Sequence, residues 1–136
     1  MWKPFFRIVC LFVAAVILAS CAAERYLAQR TDISPTVREA ILQKRVILGM
    51  FPDEAHAAAG QFVYSVTPGK KRREIEKRSG TFTDPLYVIF SQRTHPDSTH
   101  IEMTFRNSSQ FKTSQLVSFT VTFRQGRAVS ITRNPQ

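Results

Sequence analysis

Polar and apolar positions alternate most strictly near the C-terminal end. Val117, Phe119, Val121 and Phe123 alternate with Ser118, Thr120 and Thr122. That period of two predicts a strand with one face on a core and the other wet. Gln125-Gly126 turns the chain, and residues 128–132 return as a second strand. Ile101, Met103 and Phe105 keep the same period upstream. Residues 61–67 (QFVYSVT) predict a strand ending at the turn Pro68-Gly69. Residues 86–90 (LYVIF), after Asp84-Pro85, predict another. The basic stretch between these two reads as a solvated hairpin whose charges deter edge pairing. Phe105, Phe119, Phe123 and Tyr87 are expected in the core.

Before residue 61 the period lengthens. Ser34-Pro35 has the form of an N-cap followed by a first-turn proline. Val37, Ala40 and Ile41 then share a face, Leu42 and Val46 follow at i,i+4 spacing, and Gly49 is the expected stop. A second helix opens at Pro52 with Asp53 and Glu54 at the positive end of its dipole. It runs through AHAAA to Gly60. About two turns cannot stand alone, so its alanine face must pack closely on something. The expected fold is α+β: two short helices on an antiparallel meander, of α-α-β-β-β type. Residues 34–136 form that single domain. Residues 22–33 hold no sustained period and read, with Cys21, as a flexible tether.

The first 20 residues carry a different signal. Lys3 and Arg7 flank a start without acids, and residues 8–19 (IVCLFVAAVILA) are apolar. This is the form of a secretory signal peptide. As a helix the apolar run reaches about 18 Å, short of the roughly 30 Å of a hydrocarbon core. Leu18-Ala19-Ser20-Cys21 resembles the bacterial lipobox. The resemblance implies cleavage between Ser20 and Cys21 and acylation of Cys21. Several acyl chains would hold the protein to a membrane without a spanning helix. Ala22 stands where an Asp would favour retention at the inner membrane, so the resemblance points to the outer membrane, facing the periplasm.

Processing would lower the formal charge from +9 to +7, because Lys3 and Arg7 leave with the signal peptide. It would also remove Cys10. Cys21 would then be the one remaining cysteine, lipidated and unavailable as a nucleophile.

Residues 49–60 (GMFPDEAHAAAG) are similar to the Gly-Met-x-x-x-x-Val-x-x-x-Leu-Gly segment of the BamE-like (SmpA/OmlA) family of small outer-membrane lipoproteins. The order of lipobox, tether, two helices and a terminal hairpin with Phe123, Gly126 and Ile131 agrees as well. The resemblance implies a β-lactamase-inhibitor-protein-like fold and an accessory role in outer-membrane protein assembly or envelope integrity. Ala55 and Ala59 stand where the family has larger aliphatics, and the chain after Cys21 lacks tryptophan. These departures favour the fold over the role. An envelope inhibitor or ligand-binding sensor of the same fold is the alternative.

Charge marks one candidate surface. Lys70, Lys71, Arg72, Arg73, Lys77 and Arg78 cluster within nine residues. Near a membrane each such cation gains about 1 kcal/mol against acidic headgroups. Anionic lipid or an acidic envelope protein is therefore the expected contact. Nucleic acid is not, because no stacking aromatics interleave with the charges. His95, Asp97 and His100 share one loop, but a metal needs three or four converging ligands, and Pro-Asp-Ser is ordinary turn chemistry. His56 reads as a partly exposed packing residue. No nucleophile elbow, phosphate loop or metalloprotease motif is present in the sequence. The expectation is a non-enzymatic protein without metal or cofactor.

Overall fold

Four strands pair in chain order as an antiparallel meander. They are β1 (Phe62–Thr67), β2 (His100–Asn107), β3 (Val117–Arg124) and β4 (Arg127–Arg133), in a computed structural model that describes residues 23–135. The register sets Ile101 opposite Phe123, Met103 opposite Val121 and Phe105 opposite Phe119. All six are buried on one face. The rings of Phe105 and Phe119 stack with centroids 5.5 Å apart. Each such side chain contributes about 1.5–3 kcal/mol by leaving water. The opposite face carries Thr104 and Thr120, whose hydroxyls lie 3.0 Å apart. The fold is α+β, as the patterning predicts.

The β3–β4 hairpin turns on Gln125 and Gly126, with φ of 51° and 77°. Two successive left-handed residues suit the right-handed twist of the flanking strands. A Cβ on Gly126 would also meet the Gln92 carbonyl oxygen at 3.0 Å. The register then slips at Thr122/Phe123, because Ala128 and Ser130 take successive partners and Val129 bulges outward.

Helices cover the buried face. In α2 (Pro35–Leu42) the Ser34 hydroxyl accepts the Val37 N–H at 3.3 Å, and Ala40 and Ile41 are buried. In α3 (Pro52–Ala59) the Glu54 carboxylate accepts the Phe51 N–H at 2.8 Å. Ala55 and Ala58 are buried, and their small size lets α3 approach α2, α5 (Pro85–Phe90) and β2 closely. α2 ends seven residues before the expected stop at Gly49. Residues 43–50 instead turn twice and seat Val46 and Met50 in the core. Gln110 donates to the Val46 carbonyl at 2.8 Å and accepts its N–H at 2.7 Å. Gly49 donates to Ala128, and Ala128 to Met50. Those bonds, with Val46 and Met50 buried, outweigh two more helical turns.

Three further expectations are corrected. The predicted strand LYVIF is the helix α5. The Asp84 carboxylate accepts the Leu86 N–H at 3.0 Å and Pro85 opens the first turn. Only Val88 and Ile89 are buried, and Tyr87 points to solvent rather than into the core. Capping and one-sided burial override β propensity here. The basic stretch is not a hairpin but a helix, α4 (Lys70–Ser79), between Gly69 and a left-handed Gly80 cap. Lys, Arg and Glu are good helix formers, and Gly80 stops them. Lastly, the described part of the expected tether is not free. Residues 23–29 are helical (α1), and Leu27 and Ile33 join the core. The packed unit therefore reaches back before residue 34.

Candidate functional site

Of the six cations expected at one surface, α4 displays five and commits one. Arg72 turns inward and grips the Asp97 carboxylate, Nε at 2.9 Å and Nη2 at 2.6 Å. Burial opposes ionisation of Asp97, but hydrogen bonds from Thr99 and the Arg72 pair outweigh it and hold its pKa below the usual carboxylate value. Lys70, Lys71, Arg73, Lys77 and Arg78 are exposed. At helical spacing Lys70, Arg73 and Lys77 form one stripe and Lys71 and Arg78 a second, while Arg72 and Glu76 face inward. No residue of α4 is buried. Such a helix gains little from the core, and ten residues are marginal in isolation.

Apolar side chains accompany these charges. Ile75 is 57% exposed on α4, and Phe82, in the link to α5, is 88% exposed. The link is not loose: Glu76 accepts the Thr83 N–H at 3.1 Å, and Ser79 and Thr81 bond to each other. Leu86, Tyr87 and Phe90 are also partly open on α5. A solvated charged helix by itself does not require this company of aromatics.

A second cluster joins α1 to the domain. Arg93 reaches Glu54 at 2.9 Å, Asp53 at 3.0 Å and Asp32 at 3.1 Å, and lies over the Phe51 ring at 4.7 Å. The Tyr26 hydroxyl donates to Asp53 at 2.6 Å. Burial, and then the hydrogen bond to Asp53, raise the Tyr26 pKa above its ordinary value. Burial works against the Arg93 charge, but Asp53 and Glu54 more than offset it and hold its pKa high. Tyr26 therefore stays protonated and Arg93 charged across the physiological range, and the two act as fixed struts. Beside them Ala23, Tyr26, Asp53, His56 and Phe90 border an open groove of about 590 Å³.

The His95–His100 loop does not converge. Thr99, Gln92 and Arg72 all engage Asp97. His95 lies against Thr94, and His100 against Glu102 at 3.3 Å. Among the described residues no three His, Cys, Asp or Glu side chains are grouped to hold a metal. His56 packs edge-on against Phe62 with its Nδ1 2.7 Å from the Gly60 oxygen. Ser20 and Cys21 lie outside the described residues. Sequence patterning missed Arg93, whose partners are 39 to 67 positions away, and Phe82, an isolated aromatic with no period. Comparison of the chain with protein-family models, curated proteins and solved structures returns no significant match.

Proposed function

We propose that this chain is a lipid-anchored, non-catalytic binding domain of the bacterial cell envelope. The observation that carries the reading is Leu18-Ala19-Ser20-Cys21 closing a basic-then-apolar N-terminus. Acylated Cys21 holds the protein to the membrane, and by the sorting argument this is the outer membrane, facing the periplasm. Among the described residues no helix is long and apolar enough to cross a bilayer; in this reading the attachment is Cys21. The fold begins close behind it: Ala23 opens α1, and Tyr26 is already bonded to Asp53. The domain therefore stands at the bilayer with only a few residues of slack. Its work is adhesion and positioning, holding an envelope protein near the membrane. An accessory role in outer-membrane barrel assembly or envelope integrity is the specific form the BamE-like resemblance suggests.

The groove beside α1 favours a second reading, an inhibitor or ligand-binding sensor. Its volume lies within the usual range for small-molecule sites. Metabolic labelling with a fatty-acid analogue tests the first reading: the wild type is labelled and Cys21→Ala is not. Equal labelling of both refutes it. Cross-linking in intact cells separates the roles. Barrel-assembly proteins among the captured partners support adhesion; a single soluble enzyme supports inhibition.

A further inference from the structure

We infer that the α4–α5 segment is a second, non-covalent membrane contact: Phe82 enters an anionic bilayer while the five exposed cations of α4 hold its headgroups. The inference rests on the anchored reading and gives it an orientation.

Three observations converge on this surface. The first is charge. Lys70, Lys71, Arg73, Lys77 and Arg78 form no ion pair among the described residues, and the one inward cation, Arg72, is spent on Asp97. Free cations at such density complement acidic headgroups. The second is the apolar payload. Phe82 is almost fully exposed on a link fixed by the Glu76–Thr83 bond, and the helices that flank the link expose Ile75 and Tyr87. An aromatic held out on a fixed link loses little conformational freedom when it enters the interfacial layer, where an amphipathic element buries its apolar face. The third is continuity. Ala23, two residues after Cys21, borders the same groove as Phe90 at the end of α5. The first described residue thus lies beside the end of α5. A protein partner would satisfy the cations through carboxylates, but the two-residue link from Ala23 to Cys21 keeps the end of α5, which borders the same groove, within reach of the bilayer.

Two attachments then fix the pose. The lipid at Cys21 alone would let the domain swivel. With α4–α5 also docked the rotation is fixed, and β4, at the opposite sheet edge from β1, supplies the comparison site.

The test uses the full chain, expressed in a Gram-negative host, purified and reconstituted into vesicles. Every variant carries Trp2→Phe, so an introduced tryptophan is the sole one. Phe82→Trp is compared with Val129→Trp on the β4 bulge. The vesicles are phosphatidylcholine alone or phosphatidylcholine with phosphatidylserine, each with brominated acyl chains as depth quenchers. The expected result is a blue-shifted, quenched Phe82→Trp signal in the anionic vesicles and an unquenched Val129→Trp signal. Replacing the five cations with Gln should remove the quenching, each charge lowering the docked-to-undocked ratio by up to about fivefold. Added salt should act in the same direction. Equal quenching at both positions, no quenching at position 82, or quenching that survives the Gln substitutions overturns the inference. So does a Phe82→Trp signal shielded only when an envelope protein is added. The mass of the Cys21 peptide is read separately, so a missing acyl chain refutes the anchor without deciding the docking face.

Discussion

Arg93 sits where the N-terminal segment meets the domain, so its removal should be felt both in stability and at residues 23–33. Its side chain is 10% exposed, and it faces Glu54 and Asp53 at 4% and 11%. Breaking a buried pair costs about 3–5 kcal/mol, here because Glu54 is left without a cation and Asp53 keeps only Arg30, at 3.7 Å. The Asp32 arm is 61% exposed and should contribute no more than about 0.5 kcal/mol. Arg93→Met keeps an aliphatic body over Phe51 and removes the charge. The expected loss is therefore about 3–5 kcal/mol, or on the order of 10 °C in melting temperature. Urea unfolding of a chain beginning at Ala22 measures it. A double-mutant cycle locates it: coupling of Arg93 to Asp53 should exceed about 1.5 kcal/mol, and coupling to Asp32 should stay below about 0.5 kcal/mol. Trypsin adds a local readout, because freed residues 23–33 would expose Arg25 and Arg30 to cleavage before the rest unfolds. A loss under about 1 kcal/mol, or equal coupling to Asp53 and Asp32, would refute the picture of a buried strut.

Other perturbations probe the remaining features. A chain beginning at Ser34 should melt lower than one beginning at Ala22, since it lacks Leu27 and Ile33 from the core; equal unfolding midpoints would show α1 to be dispensable. Gln110→Leu leaves both backbone groups of Val46 unpaired in the interior, at about 1–3 kcal/mol each, read by denaturant midpoint. Asp97, whose pKa is lowered in the fold, contributes stability that is fully present above its unfolded value of about 3.9 and is lost as pH falls through its folded value. Asp97→Asn should remove that part of the acid-side decline, and an unchanged acid transition would count against the Arg72–Asp97 clamp.

Strands and helices were unequally legible. β2 and β3 follow from strict alternation, because a period of two has no other economical burial, and β4 follows as the return from its turn. Gln125-Gly126 marks its turn by chemistry alone. α2 and α3 begin where Ser34-Pro35 and Pro52 predict, since caps and first-turn prolines act locally. The same local signal, Asp84-Pro85, also opens α5, but the β-branched run behind it masks the helix. That run buries only Val88 and Ile89, and which side would be covered is a tertiary fact. The basic stretch was recognisable as a charged surface; that it is a helix displaying five cations and committing Arg72 depends on Asp97, 25 positions away.

The candidate site divides along the same line. Residue identity in one local window marks Cys21 and the α4 cations, so the proposed anchor, the charge and the α+β class were legible without coordinates. That residues 23–33 are packed rather than free is a long-range outcome, because Leu27 and Ile33 are buried in the common core and Tyr26 finds its partner in Asp53, 27 positions on. Likewise only the fold leaves Phe82 uncovered. Local sequence sets which groups carry charge or start a helix; long-range burial sets which of them remain available to a partner.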